Sequence, residues 1–466
     1  MRNYFHFILC LLVLASVLTA CKKDALLTDS SAVLSFSTDT VLFDTVFATI
    51  GSTTGYLKLY NTYDKKIKIS SIYLAGGAAS PFRINVDGSP GIVFMDIEIP
   101  ANDSLYIFVE VTVDPTTGNL PFIVNDSIVF STNGNTQDVN LVAWGQDAYF
   151  HNGETIGTST WLSDKPHVIY NSILVDSLTT LTLDPGVMVH SHGYAGIFVK
   201  GTLDVNGTVD DPVIFQGDRL ESFYDDVPSQ WLGIFLLRGS TSNSIQHAII
   251  KNAFYGVSVG SNDNPDLNSF TWSNAPDATI SHTIIKNMTY IGIFGFLSDI
   301  DVSNTLVYNC GQHNAHLAFG GNYVFNHVTL SNYGYNAIDH SDPVLELGNF
   351  AESQQGHFSA DLDATFTNCI IDGSLDDEIG FDNDQTGGFA YLFENCVLKT
   401  KFNTTTSNYV SVLKNEFPYY VEAVEEDYHL ATNSPCIDAG KVTSITDDLD
   451  GISRDPSPDI GCYELN

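Results

Sequence analysis

Six segments in the second half of the chain repeat one eight-residue pattern, and this repetition constrains the fold more than any other feature of the sequence. They align without gaps and begin at Ile245, Ile280, Val302, Phe325, Phe366 and Phe393. The intervals between them are 35, 22, 23, 41 and 27 residues, so a unit of about 22 residues carries insertions of variable length. Such spacing predicts a stack of strands in which each repeat buries its apolar side chains against its neighbours.

The columns of this alignment predict which side chains point inward. The first column is always Ile, Val or Phe and the sixth is always Ile, Val or Leu, as stacked core positions require. The fourth column is small and includes Cys369 and Cys396, which we expect to be packed thiols. The third column holds only His and Asn, which predicts a ladder of hydrogen bonds between repeats. Its members are His247, His282, Asn304, His327, Asn368 and Asn395.

Runs of β-branched residues between Gly and Asn turns, with "LDPGVMVHSHGYAGIFVKGTLDVNGT" upstream, resemble the right-handed parallel β-helix of the pectin-lyase-like superfamily. The resemblance covers about residues 155–430. It implies a β-helix solenoid and says almost nothing about activity.

The C-terminal segment carries "SPCIDAG" and "DIGCYE" and resembles the choice-of-anchor Q domain. The resemblance implies that residues 431–466 form a cap over the open end of the β-helix. Cys436 and Cys462 replace two Ala positions of the family motif, which implies a Cys436–Cys462 disulfide. An acidic cluster within the segment is expected to pair with Arg454 and with backbone amides, with calcium as the alternative. Its members are Asp438, Asp448, Asp450 and Asp459.

Residues 33–147 contain short strands of alternating pattern, such as "YLKLYN" and "SLYIFVEVTV", between turn residues. This pattern predicts a β-sandwich. With Asn61, Pro100 and Gly145 in this order, the segment resembles the immunoglobulin-like ASH and Hydin domains, which implies a spacer or adaptor. The expected fold is therefore all-β, an immunoglobulin-like β-sandwich followed by a right-handed parallel β-helix.

The first residues predict export. Arg2 precedes an apolar run from Phe5 to Leu18, and residues 1–21 are expected to form a signal peptide that ends in "LTAC". This ending resembles the lipobox of Gram-negative lipoproteins, which implies a lipidated Cys21 followed by a tether at 22–32. Lys22 and Lys23 favour the outer membrane, with a periplasmic and a surface-exposed location both left open.

The charge balance excludes some partners. The chain has 19 Lys plus Arg against 55 Asp plus Glu, a net charge of −36, which repels nucleic acid and acidic membrane surfaces. The loop "DGSLDDEIGFDND" is a candidate calcium site through Asp376, Asp382 and Asp384, although it lacks EF-hand spacing. A solvated acidic loop is the alternative interpretation.

The two longest insertions, at 261–277 and 341–363, each follow a strand at the same corner of the repeat and are expected to wall a groove. Phe270 and Trp272, at the tip of the first insertion, are suited to stacking on a sugar ring. The strands before the loops supply His316, Asp339, His340 and Asp382 as groove-facing polar groups. Lys251 and Lys286 share a column, but no complete catalytic set can be assigned.

These observations lead to a prediction about function. We expect a non-catalytic binding or adhesion protein, anchored in the outer membrane, with polysaccharide as its ligand. The alternatives are a polysaccharide lyase or glycoside hydrolase acting in the groove, and a structural component of the cell surface.

Overall fold

The computed structural model describes residues 25–47, 54–113, 122–260, 277–334, 338, 340–353 and 356–465. Within these residues the chain is all-β with large parallel sheets, and it contains no α-helix. Short turns of 3-10 helix occur at Gly77–Ala79, Ser222–Tyr224 and Ala423–Glu425. No helix in the described ranges is long and apolar enough to cross a membrane. The chain divides into two compact units between Asp147 and Ala148.

The first unit consists of two sheets around one apolar core. One sheet has the order β1-β5-β10-β11-β3 with β8 added beside β5, and the other has the order β2-β4-β9-β6-β7. The strands are β1 Leu26–Leu27, β2 Ser35–Phe36, β3 Thr40–Phe47, β4 Gly55–Tyr60, β5 Lys66–Leu74, β6 Phe82–Val86, β7 Ser89–Gly91, β8 Val93–Ile99, β9 Ser104–Val111, β10 Phe122–Thr132 and β11 Asn135–Gln146.

Alternating side chains of both sheets enter this core. In β9, Leu105, Ile107 and Val109 are buried, whereas the residues between them face solvent. Asn61 is buried between β4 and β5, and its side-chain amide lies 2.9 Å from the carbonyl of Lys65 and 2.7 Å from that of Pro100. Asn61 therefore connects two turns of the first unit.

The second unit consists mainly of two large parallel sheets. Its strands are β12 Tyr149–Asn152, β13 Thr155–Ile156, β14 Ser159–Trp161, β15 His167–Tyr170, β16 Ile173–Val175, β17 Thr180–Leu183, β18 Met188–Ser191, β19 Gly196–Val199, β20 Thr202–Asn206, β21 Val213–Gly217, β22 Gly233–Leu236, β23 Asn243–Gln246, β24 Ala248–Lys251, β25 Tyr255–Val259, β26 Asp277–Ser281, β27 Ile284–Met288, β28 Ile291–Ser303, β29 Leu306–Cys310, β30 His313–Asn326, β31 Thr329–Asn332, β32 Leu345–Gly348, β33 Phe350–Ser353, β34 Gly356–Ser359, β35 Leu362–Thr367, β36 Ile370–Gly373, β37 Ile379–Asp382, β38 Phe389–Glu394, β39 Val397–Leu398, β40 Tyr409–Val410, β41 Leu413–Lys414, β42 Tyr420–Glu422 and β43 Asp427–Leu430.

An 11-stranded sheet takes one strand from each repeat, in the order β12-β15-β18-β21-β24-β27-β29-β31-β36-β39-β41. A 17-stranded sheet takes two strands from most repeats, and these merge into single long strands at β28 and β30. Each strand pairs in parallel with the equivalent strand of the next repeat. Two small antiparallel pairs, β33-β34 and β42-β43, complete the unit.

The register confirms the columns predicted from the sequence. Ile245 pairs with Ile280, which pairs with Val302, and the series continues through Phe325, Phe366 and Phe393. The sixth column pairs in the same way from Ile250 to Leu398. Both columns lie in one apolar core that extends from Ile156 to Tyr409.

The third column forms the corner between the two sheets. All six of its residues have positive φ, between 42° and 55°. Asn and His tolerate this left-handed conformation better than most residues. The predicted ladder is present in part, because the amide of Asn304 lies 3.0 Å from His282 Nε2 and that of Asn368 lies 2.8 Å from His327 Nε2.

The C-terminal segment does not lie where the sequence predicted. Residues 436–465, the C-terminal strap, run back along the third-column corner and do not cover an open end of the stack. Asn395 bonds Ala439 O, Asn368 bonds both the N–H and the carbonyl of Lys441, and Asn304 bonds Asp447 O. The corner side chains point away from the core and carry polar groups that need hydrogen-bond partners. The strap supplies several of these partners.

The predicted Cys436–Cys462 disulfide is absent, because both residues are buried free thiols. Cys436 packs with Ile370 and Val397, whereas Cys462 packs with Leu306 and Tyr308 of an earlier repeat. The two cysteines thus serve as small apolar contacts at separate points of the strap. Cys369 and Cys396 are also buried free thiols, with the amide of Cys369 3.4 Å from the sulfur of Cys396.

Two of the four carboxylates in the acidic cluster of the strap bond backbone amides, as predicted. Asp448 accepts from the amides of Asp450, Ile452 and Glu464, and Asp459 accepts from those of Asp438 and Leu465. Arg454, however, forms its ion pair with Glu464 at 3.0 Å, with both side chains 2% exposed. The buried charge pair therefore belongs to a residue outside the predicted set.

Candidate functional site

One outward-facing row of the 17-stranded sheet combines aromatic and titratable side chains. The residues that precede the members of this row on their strands, such as Ile293 and Leu345, lie in the core. Successive side chains of a strand point to opposite faces of the sheet, so the row points away from the core. We call it the outer row, and each member pairs with the next: Phe198, Phe235, Ser258, Phe294, His316, Glu346 and Gly380.

Glu346 is the one carboxyl group of the outer row, and its pKa is strongly raised. Burial raises its pKa to about 7, and the negative charges of Asp382 and Asp342 add to the effect. A Cβ atom on Gly380 would lie 1.7 Å from Glu346 Oε2, so the carboxyl group occupies space that only a glycine leaves open. No hydrogen-bond donor in the described part of the chain contacts this carboxyl group.

His316 lies beside Glu346 on the adjacent strand. Burial lowers its pKa to about 3, helped by the neighbouring His313, so the imidazole is neutral at physiological pH. Its ring meets Phe294 edge-on at a centroid distance of 5.6 Å, and it has no hydrogen-bond partner among the described residues. The sheet therefore presents two adjacent groups that can still donate or accept hydrogen bonds.

Six aromatic rings in continuous contact lie next to the outer row and share two residues with it. We call them the aromatic band: Tyr194, Phe254, Tyr290, Tyr255, Phe235 and Phe198. Successive ring centroids are 5.0 to 6.0 Å apart. Tyr194 is 77% exposed and Tyr290 37% exposed, so part of the band is open to solvent.

The second of the two insertions predicted to line a groove, at 341–363, contains a β-hairpin near the outer row. Strands β33 and β34 follow β32 directly, and Phe358 and Ala351 of the hairpin pack with Phe294, Phe296 and Phe319. The first predicted wall, including Phe270 and Trp272, lies outside the described residues apart from its last residue, and Asp339 also lies outside them. Cys21 is likewise outside them.

Of the remaining predicted ligand-binding residues, His316 and Asp382 each lie near Glu346, and His340 is buried elsewhere. Asp382 ends β37 and lies near enough to raise the pKa of Glu346, and burial raises its own pKa. His340 is buried instead, with its Nε2 atom 3.1 Å from Glu378 Oε2 and both side chains fully covered. The prediction that His340 faces a groove is wrong, because the side chain of Glu378 in the interior holds its ring.

The three carboxylates predicted to bind calcium do not converge. Asp384 bonds His357, Ser359 and Thr386, and these hydrogen bonds lower its pKa even though burial acts in the opposite direction. Asp376 lies 3.4 Å from Lys401 and is exposed. The described residues contain no group of three or more His, Cys, Asp or Glu side chains arranged to hold a metal ion.

The sequence reasoning missed Glu346 and the aromatic band. Glu346 lies in "VLELG", which has no motif character, but aligning "AHLA" at 315–318 with "LELG" at 345–348 places it opposite His316. The band gathers residues from 194 to 290 that come from corners as well as strands. No single column of the repeat contains them all.

Comparisons with known proteins do not identify the chain. No family model matches it, and no curated protein matches it. Among solved structures it is similar to a family 123 glycoside hydrolase from Clostridium perfringens, with 10% identity, a TM-score of 0.17 and coverage of 26% of this chain and 30% of that one. A protein of unknown function from Porphyromonas gingivalis shows 9% identity, a TM-score of 0.18 and coverage of 27% and 60%.

The ASH/PapD-like domain 7 of human CEP192 shows 13% identity, a TM-score of 0.17 and coverage of 24% of this chain and 84% of that domain. The chain thus spans less than two thirds of the first two of these structures. All of these similarities are too low to carry a functional argument.

Proposed function

We propose that the protein is an outer-membrane lipoprotein that binds a glycan along the outer row and the aromatic band. In this proposal the second unit is a right-handed parallel β-helix, and the first unit is an immunoglobulin-like spacer that follows the lipidated Cys21. The observation that carries the proposal is the continuous aromatic band, which leads to two polar groups, His316 and Glu346, for which the described residues supply no hydrogen-bond partner. Sugar rings offer apolar faces for stacking and hydroxyl groups for such polar partners.

The charge of this surface favours a neutral glycan. Glu346, Asp342 and Asp382 lie close enough for their charges to interact, and the whole chain has a net charge of −36. A polyuronate would be repelled by these carboxylates, most strongly at low salt where screening is weak. A neutral polysaccharide has no charges for these carboxylates to repel.

The test is retention of the full mature chain on insoluble neutral polysaccharides and on polyuronates. Changing Tyr194→Ala together with Tyr290→Ala should weaken binding to the neutral polymer on the order of tenfold, because each stacked ring contributes about 0.5–1.5 kcal/mol. Phe223→Ala is the matched control, since Phe223 is also 77% exposed but lies outside the band. Equal retention of the double variant and the control would refute the proposal.

A second candidate is cleavage of a glycosidic bond, and the raised pKa of Glu346 favours it. Two carboxyl groups with different protonation states are what acid and base catalysis of this reaction needs. Glu346, with a pKa of about 7, would donate the proton, and Asp382 would act as the base.

For this candidate, release of reducing ends from a bound neutral polysaccharide is the measurement. Glu346→Gln should abolish release but leave retention on the polymer within about twofold, since the change keeps the side-chain shape. Asp363→Asn, an exposed carboxyl group on the same sheet, is the control. If the unaltered chain binds the polymer without releasing products, the catalytic candidate fails and the binding proposal stands.

A further inference from the structure

The 11-stranded sheet has its own outward-facing row, and most of it is covered. Lys251, Lys286, Tyr308, Ser331 and Asp372 pair in succession, one from each repeat. This confirms that Lys251 and Lys286 share a column, as the sequence predicted. The residues just before them, such as Ile285 and Ile371, lie in the core.

Two segments of chain cover this row at Lys286 and Tyr308. The ammonium group of Lys286 bonds Asp226, 3.2 Å away, and also Glu426. The hydroxyl of Tyr308 donates to Glu426 at 2.8 Å. Lys286 is therefore a structural ion-pair residue and does not serve as a free base.

The cover ends at Asp372, where a cavity of about 470 Å³ opens. Asp372, Lys399 and Asn415 follow the paired residues Ile371, Leu398 and Lys414, so they lie on three adjacent strands spaced by roughly 4.8 Å. Lys401, Asp376, Glu416 and Phe417 complete the lining. The volume lies within the range of about 300–1,000 Å³ that small-molecule sites occupy.

Asp372 is the most deeply buried charged group of this cavity, at 2% exposure. The hydroxyl of Tyr333 donates to its Oδ2 atom, and the backbone amide of Gly373 also bonds the carboxyl group. Burial raises the pKa of Asp372 to about 6. A carboxylate offers about four acceptor positions on its two oxygens, so Asp372 can accept a further hydrogen bond from a ligand in the cavity.

The rest of the lining indicates which ligand fits. Cationic and anionic groups alternate, as in Lys401 and Asp376, which lie 3.4 Å apart. A hydroxyl group can accept from an ammonium group and donate to a carboxylate, so a polyhydroxylated ring satisfies both. Phe417 is 48% exposed and offers a face for the apolar side of such a ring.

We infer that this cavity binds a single hexose unit, with the sugar ring on Phe417 and its hydroxyl groups between Asp372 and the two lysines. The site lies on a different sheet from the aromatic band. Hexose binding in this cavity can therefore be tested independently of glycan binding on the aromatic band.

The experiment is saturation-transfer NMR and titration of the full mature chain with glucose, galactose, mannose and N-acetylglucosamine. At least one sugar should bind with a dissociation constant on the order of 1 mM, or about −4 kcal/mol. Phe417→Ala and Asp372→Asn should each weaken that binding about tenfold or more. Phe223→Ala, which lies outside both the cavity and the aromatic band, should leave hexose binding unchanged.

Three results would overturn the inference. They are no binding of any hexose by the folded chain, hexose binding that survives Phe417→Ala and Asp372→Asn, and binding of glycine with displacement of the hexose, which would assign the charged lining to a zwitterion. Thermal melting establishes that each variant is folded. Should Asp372→Asn fail to fold, Lys401→Gln replaces it, because Lys401 is an exposed group at the rim.

Discussion

At the scale of single residues, the third column shows how one position can serve conformation and hydrogen bonding together. Asn368 has φ of 53° and no exposed surface. Its amide lies 2.8 Å from His327 Nε2 and 2.7 Å from Lys441 O, and its carbonyl oxygen accepts from Lys441 N. The sequence predicted the ladder because only residue type was needed, but positive φ and the strap as partner depend on the packed structure.

Replacing Asn368 separates these two roles. Asn368→Ala should lower the free energy of unfolding by about 2–4 kcal/mol, since it loses hydrogen bonds and places a β-carbon in the left-handed region. Asn368→Gly removes the same bonds without that strain, so it should cost roughly 1–2 kcal/mol less. Urea unfolding of both variants measures the difference. Equal losses would show that the left-handed conformation carries no cost at this corner.

At the scale of elements, the register of the large sheets was predictable and the position of the strap was not. The gapless alignment fixed which strand pairs with which, because a slip of one residue would turn the core side chains outward. The strap motifs gave no such constraint, since they specify local turns and not the surface on which they pack. The disulfide prediction failed for the same reason, as Cys436 and Cys462 contact different repeats.

His429 of β43 joins that strand to the strap, and this contact depends on pH. Asp450 raises the pKa of His429 to about 9, burial opposes the shift, and Asp427 adds to it. The ring also stacks on Tyr463 at a centroid distance of 3.9 Å. The folded state therefore holds a proton that the unfolded chain releases near pH 6.5.

The contribution of protonated His429 to the free energy of unfolding is complete below about pH 6.5 and is lost as the pH rises towards 9. Because solvent screens this partly exposed side chain, we expect the contribution of His429 to the free energy of unfolding to be about 1–2 kcal/mol. His429→Gln should flatten the decline in unfolding free energy between pH 6.5 and 9, whereas His192→Gln, beside Asp218 and away from the strap, should retain it. An unchanged decline in the His429 variant would contradict this account.

At the scale of the whole molecule, the two units have separate cores and an excess of negative charge. The N-terminal residues predicted export, the repeat and alternation patterns predicted an all-β chain, and the net charge predicted no default affinity for nucleic acid. The candidate site required more, because the aromatic band assembles residues from several repeats and the raised pKa of Glu346 depends on burial. Neither property is visible in a local stretch of sequence.

The proposed anchor also belongs to this scale. Cys21→Ser should move the protein from the membrane fraction to the soluble fraction, since a polypeptide without the lipid loses the apolar chains that hold it to a bilayer. Fractionation of cells that express each form measures this. Cys10→Ser, within the predicted signal peptide, is the control and should leave the protein in the membrane fraction.

The backward course of the strap makes the order of synthesis matter. Corner residues from His327 to Asn395 are made well before Ala439, Lys441 and Gly461, which complete their hydrogen bonds. A nascent chain must therefore keep the corner side chains without these partners until residues 436–465 emerge. A copy of the chain that lacks residues 436–465 would therefore expose the apolar side chains of Leu306, Ile370 and Val397, and such a surface leads to recognition by chaperones and proteases.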